Sequence, residues 1–240
     1  MDEELLFLQN CSNDQLKNLA DILVFDKDGK KRYTETLSAS KAYLTHYPND
    51  LKAMVPEIVL EYRYFGSNTV LNLINKKPKS YRKILGDVCK QLRVPYRSGM
   101  PVDLIEQQML QTLVYLAIEK MTDEDVEELL EGKITKAELL KTGNLLAVGS
   151  PLFMRIATVM TIQIASKMGL QGLGAIAAGF ASSRAFAILA GPVGFVLASL
   201  WSAYDVAGPA YRVTIPFTIY VAYYRMLMNK SEEEIKSILG

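Results

Sequence analysis

The sequence predicts an all-α fold: a multi-helix bundle with an amphipathic N-terminal part and a glycine-rich apolar C-terminal helical hairpin. Three observations carry that expectation. Apolar residues recur at helical spacing in nearly every segment. No segment sustains apolar and polar alternation with β-branched residues and hairpin turns. Charge is dense up to about Thr142, whereas Gly143 to Lys230 holds only Arg155, Lys167, Arg184, Asp205, Arg212, Arg225 and Lys230. The chain has a polar front and an apolar back.

Along the chain, "NDQLKNLADILVF" places Leu16, Leu19, Ile22 and Leu23 at helical spacing with Asn13 available as N-cap, and the glycine of "DKDGKK" ends that helix in a turn. "RYTETLSASKAYLTHY" resumes the helical pattern up to Pro48. "DLKAMVPEIVLEYRYF", "SNTVLNLI" and "SYRKILGDVCKQLRV" read as short amphipathic helices divided by Gly66 and "NKKPK". In the last of them Tyr81, Ile84, Leu85, Val88, Cys89 and Leu92 gather on one side and Arg82, Lys83, Lys90 and Arg93 on the other. A longer helix follows in "MPVDLIEQQMLQTLVYLAIEKM", then "TDEDVEELLEG" with Thr122 and Asp125 at capping-box spacing, then the short polar "ITKAELLKTG". From there the helices are apolar around most of their circumference, and seven of the fifteen glycines fall between Gly169 and Gly208. Such helices sit either at the centre of a bundle or in lipid. "SEEEIKSILG" closes the chain, capped by Ser231. This divides the chain into a small N-terminal helical domain at 1–47 and a helical region at 48–240, with the apolar helices at 145–228.

Of the 240 residues 50% are apolar and 22% charged, which is ordinary globular usage, and a net charge of +1 provides no global attraction to nucleic acid. Cys11 and Cys89 lie far apart without ligand spacing and read as reduced, buried thiols. The acidic start "MDEELLFLQNCSND" lacks a signal peptide's basic start and long apolar core, so the expected location is the cytoplasm, with a peripheral place at the inner membrane.

Catalytic and cofactor motifs find little support. "GLGAIA" fits the dinucleotide pattern from Gly172 to Ala177, but what precedes it is helical and the first acidic residue, Asp205, comes too late. "DKDGKK" has its glycine at the wrong place for a calcium loop. His46 is the only histidine, which excludes multi-histidine zinc sites. No catalytic, metal-binding or cofactor residue is expected.

Two surfaces remain. Lys76, Lys77, Lys79, Arg82, Lys83, Lys90, Arg93 and Arg97 face one opposing acid, Asp87, and form a candidate contact for anionic lipid or an acidic partner. The alternative is a solvated face, or one neutralised by the acidic run 123–131. RNA lacks support because Tyr81 falls on the apolar side. The second surface is the uncharged run 185–204. Gly191-Pro192 divides it into pieces too short to span a bilayer; if the run stays buried in a bundle, Gly191 and Gly194 serve close helix packing, whereas its apolarity favours lipid partitioning. Segments 168–190 and 192–205 are expected to pair as a hairpin, followed by a break at Gly208, Pro209 and Tyr211 where Asp205 and Arg212 pair.

"FLQNCSNDQLKNLADIL", "DKDGKKR", "YRKILGDVCKQL", "IEQQML" and "AGPVG" with "AYRVTIP", in that order, resemble the YaaW-like family of bacterial proteins of unknown function. "AYRVTIP" is the most specific element. The first forty residues resemble that family's N-terminal domain of unknown function, and the remainder resembles the ubiquinol–cytochrome c chaperones. The resemblance implies a role in assembling a membrane complex and brings no catalytic residue. The expected function is therefore non-enzymatic: assembly or quality control of membrane proteins, with a membrane-protein subunit or an anionic membrane surface as partner. Conditional membrane insertion through 168–205 is the alternative, and an enzyme on an unfamiliar helical scaffold ranks last.

Overall fold

The computed structural model describes residues 2–67, 77–170, 174–207 and 210–239, with residues 142, 174–177 and 201–207 described by backbone alone. Among them the helices are α1 (Asn13–Val24), α2 (Lys41–His46), α3 (Val55–Ser67), α4 (Tyr81–Gln91), α5 (Val102–Lys120), α6 (Asp123–Leu129), α7 (Lys136–Thr142), α8 (Pro151–Lys167), α9 (Gly174–Ala181), α10 (Arg184–Ala207), α11 (Tyr211–Leu227) and α12 (Glu232–Leu239). Short 3₁₀ turns join several of them, including Glu3–Asn10 ahead of α1. No strand occurs among the described residues; a lone bridge between Phe25 and Lys31 closes the "DKDGKK" turn. In that turn Asp26 Oδ1 accepts from the amides of Asp28 and Lys30, and Gly29 takes φ +71°, which a side chain would resist.

Capping follows local chemistry. Thr122 and Asp125 form the expected capping box on α6, and Thr135 with Glu138 forms another on α7. At α1 the cap is Ser12, paired with Gln15, and not Asn13. Asn13 instead ties a distant turn to α1: its amide donates to the Pro48 carbonyl at 2.8 Å and accepts from the Leu51 amide at 2.8 Å.

At the centre of the molecule is α11, buried from Val213 to Tyr224 and packed against α1, α3, α4, α5, α8 and α10. Its phenols can be buried because each finds a partner. Tyr220 donates to the Thr161 carbonyl at 2.7 Å, Tyr223 shares a bond with the Thr158 hydroxyl at 2.8 Å, and Tyr224 accepts from Asn18 Nδ2 at 3.1 Å. Phe217 stacks on Tyr62 of α3 with ring centroids 4.0 Å apart.

The one cation near the end of α11, Arg225, organises the buried charge. Its Nε donates to Glu106 Oε2 of α5 at 2.6 Å, its Nη2 donates to the Glu4 carbonyl at 2.6 Å, and its guanidinium lies over the Phe7 ring. Glu106 is also bonded by the Tyr81 hydroxyl at 2.5 Å. Burial pushes the Glu106 carboxyl above the ordinary carboxylate range, against the pull of Arg225 and Tyr81.

The uncharged run departs from expectation. α10 passes through Pro192 without a break, so Gly191-Pro192 does not divide it. The break falls earlier, at Ser182 and Ser183, where the Ser183 hydroxyl accepts the Phe186 amide and caps α10. α10 lies along α8 and α5, and α9 is a short connection, so segments 168–190 and 192–205 do not form the two arms of a hairpin. Among the described residues no helix is long and apolar enough to cross a membrane.

Candidate functional site

Two surfaces carry the predicted site residues. On α4 the expected amphipathicity is present: Tyr81, Ile84, Leu85, Val88 and Cys89 are buried. Arg82, Lys83, Lys90 and Arg93 are exposed. Lys79 pairs with Asp87 at 2.9 Å, and Arg82 lies 3.8 Å from Glu4 while donating to the Met100 carbonyl at 2.8 Å. Lys83, Lys90, Arg93, Lys77 and Arg97 are exposed and meet no carboxylate among the described residues. Lys76 lies outside the described residues. The acidic run 123–131 does not neutralise this face, since Glu128 pairs with Arg184 and Glu131 with Lys133.

The chain then folds back over the same face. By helical spacing Arg82, Lys83, Gly86, Lys90 and Arg93 share one side of α4, with Gly86 in its middle. Tyr96 crosses there: a Cβ at Gly86 would come within 2.5 Å of the Tyr96 hydroxyl. Buried Val94 and the Arg82 bond to Met100 fix the two ends of the connecting loop. Between loop and α5 opens a cleft of about 610 Å³ lined by residues 95–100 and Gln108. Sequence reasoning did not single out Tyr96, Gly86 or Gln108; a glycine inside a regular basic helix face was the available signal.

Arg93 closes α4 with φ +56°, the left-handed position that glycine favours, while the Val94 amide bonds back to the Cys89 carbonyl at 2.8 Å. That geometry aims a cation outward past the negative end of the helix dipole.

The second surface is the outward side of α10. Ala187 and Gly191 are exposed and Phe195 is 56% exposed, with the Lys120 ammonium 5.1 Å from its ring centroid. A Cβ at Gly191 would meet nothing within 4 Å, and one at Gly194 would reach only Gln163 at 3.8 Å. Among the described residues nothing crowds either glycine, so neither serves the close packing that a buried hairpin would require of it. Pro192 is partly buried in mid-helix. Acidic α6 packs beside the start of α10 and exposes Asp123, Glu124 and Glu127.

The remaining expected features separate. Tyr211 and Arg212 open α11, and burial pushes the Tyr211 phenol upward, aided by Asp87. The Asp205 side chain, Gly208 and Pro209 lie outside the described residues, so the expected Asp205–Arg212 pair does too. Gly172 of the glycine-rich fragment also lies outside them, and Gly174–Ala177 begin α9. Both cysteines are buried and free; burial pushes the Cys11 thiol up to about 11 and Cys89 up to about 12. Neither is a thiolate at neutral pH.

A family model described as a domain of unknown function, DUF3944, matches residues 1–33. A UPF0174 protein of Helicobacter pylori strain J99 is 35% identical across 99% of this chain and 96% of its own length. The UPF0174 protein YaaW of Escherichia coli K12 is 30% identical across 96% of this chain and 97% of its own. No solved structure matches the chain. Identity sustained over almost the full length of both proteins carries the conclusion that the chain belongs to the UPF0174 family.

Proposed function

We propose that the protein is a non-enzymatic helper in assembly or quality control of membrane proteins at the bacterial inner membrane, and that the outward face of α10 receives an apolar segment of an immature subunit. The observation that carries this reading is the face itself: Ala187, Gly191 and Phe195 lie outward on a helix uncharged from 185 to 204. Small residues one turn apart let another helix approach closely, and covering Phe195 contributes about 1 kcal/mol or more. The neighbouring carboxylates of α6 fit the Lys and Arg residues that flank membrane segments on their cytoplasmic side. The resemblance of the region after residue 48 to ubiquinol–cytochrome c chaperones supports the same reading.

A purified α-helical membrane protein diluted out of detergent provides the test. Stoichiometric wild-type chain is expected to delay its aggregation, and Phe195→Glu and Gly191→Glu, folded by circular dichroism, are expected to lose the effect. Equal protection by the variants, or none by wild type, overturns the reading. A second reading, docking on anionic headgroups, is favoured by the exposed Lys83, Lys90 and Arg93, which meet no carboxylate among the described residues.

A further inference from the structure

We infer that the cleft between the loop 95–100 and Gln108 is a binding site for a phosphomonoester group, with Arg97 supplying charge at the site, Arg93 adding charge nearby, and Tyr96 forming a wall. The inference shares α4 with the headgroup reading and rests on it only in that respect, because a diffuse cationic surface responds to charge density whereas a site responds to the phosphate.

Four features point to a built site. Arg97 lines the cleft, is exposed, and meets no carboxylate among the described residues. Guanidinium groups in that state match phosphate oxygens with paired donors. Arg93, two residues before the cleft begins, holds a left-handed backbone where glycine would be more comfortable. That turn keeps an exposed cation close to the first residue of the cleft lining. Gly86 lacks the side chain that would displace Tyr96, whose hydroxyl sits over it. Gln108 adds an amide from α5, able to donate to a phosphate oxygen. Of the acids on the neighbouring elements, Glu4 lies 3.8 Å from Arg82 and Asp87 pairs with Lys79, while Asp103 is exposed at the start of α5. Lys83 and Lys90 on the same helix face add long-range attraction.

Two sources present this chemistry, a free phosphorylated metabolite and a lipid with a terminal phosphate. Two assays on the full chain separate them: equilibrium dialysis with glycerol 3-phosphate, and flotation with phosphatidylcholine vesicles carrying phosphatidic acid or phosphatidylglycerol at matched surface potential. Uptake of glycerol 3-phosphate assigns the free source. Preference for phosphatidic acid by at least about fivefold, without soluble uptake, assigns the lipid. In either case Arg97→Ala is expected to weaken binding about tenfold or more. Arg93→Gly and Gly86→Ala are expected to weaken it while melting no lower than wild type, which separates loss of the site from loss of the fold. Equal flotation on both anionic lipids with no soluble uptake overturns the site and leaves the headgroup reading standing. Binding unchanged in Arg97→Ala and Gly86→Ala, or no binding in either assay, also overturns it.

Discussion

Arg93 shows how one backbone angle separates stability from use. At φ +56° its side chain opposes the backbone, and a glycine there relieves that opposition by about 1 kcal/mol. Arg93→Gly is therefore expected to raise the urea midpoint at constant slope. A second residue-scale effect appears in alkali. The buried thiols and phenols are acids whose folded pKa lies above the unfolded one: Cys11 about 11, Cys89 about 12, Tyr47 and Tyr223 about 12, with Tyr62, Tyr220 and Tyr224 higher still. Burial is the first cause in each. Such groups contribute stability that is complete below the unfolded values, near 9 for Cys and 10 for Tyr, and is lost as pH rises through the folded ones. Urea unfolding is expected to hold a steady midpoint up to about pH 8.5 and to fall from there towards pH 12. Replacing both cysteines with alanine is expected to remove the earliest part of that fall.

At this scale the basic arc was legible because helical period alone decides which of Arg82, Lys83, Lys90 and Arg93 share a side. Tyr96 was not legible. Its place over Gly86 depends on the loop turning back along α4, which period does not encode. The Arg225–Glu106 bond was equally hidden, although a cation following the uncharged stretch Val213–Tyr224 of a buried helix demands a partner.

Among the elements, α10 is where reading and structure part. Proline removes one backbone donor and crowds the carbonyl four residues earlier, so a break at Gly191-Pro192 was the reasonable expectation. Packing against α8 and α5 along its length outweighs that local cost, and Gly191 brings no Cβ to the restricted position before proline. The signal for the true start of α10 was Ser183, a capping residue outranked in the sequence by the more conspicuous Gly-Pro pair. Since Gly191 faces open space, Gly191→Ala is expected not to overpack the fold; its gain in helix propensity is opposed by a Cβ crowding Pro192, so chemical denaturation is expected to show a net change under about 1 kcal/mol.

The charge asymmetry along the chain correctly indicated apolar helices in the back half, but not which one is central. α11, with three hydroxyl-satisfied tyrosines, occupies the core, while α10, uncharged from 185 to 204, lies at the surface with Phe195 outward. Both helices are strongly apolar, and only the positions of their neighbours distinguish them.

Across the whole molecule, the first ten residues are held by cations from three distant elements. Arg225 bonds the Glu4 carbonyl, Arg63 lies 3.6 Å from Asp2, and Arg82 lies near Glu4, while the Tyr81 amide donates to Asp2 Oδ2 at 2.8 Å. Front and back of the chain therefore share one core, with Arg225 and Glu106 at the joint. Arg225→Met is expected to lower unfolding free energy by about 3–5 kcal/mol, because it leaves Glu106 buried without its cation. The double variant Arg225→Met with Glu106→Gln is expected to lose less than the sum, as a denaturation cycle measures.

We propose above that the α10 face holds an apolar segment of a membrane protein still being assembled. Its most direct test places a photocrosslinking amino acid at Gly191 or Phe195 in cells, with Lys133 as control position, and pulse-labels new proteins before irradiation. Crosslinks are expected from 191 and 195, and not from 133, to apolar segments of newly made integral membrane proteins, fading during the chase. Crosslinks only to lipid, to soluble proteins or to long-lived mature membrane proteins, or equal yields from all three positions, would contradict it.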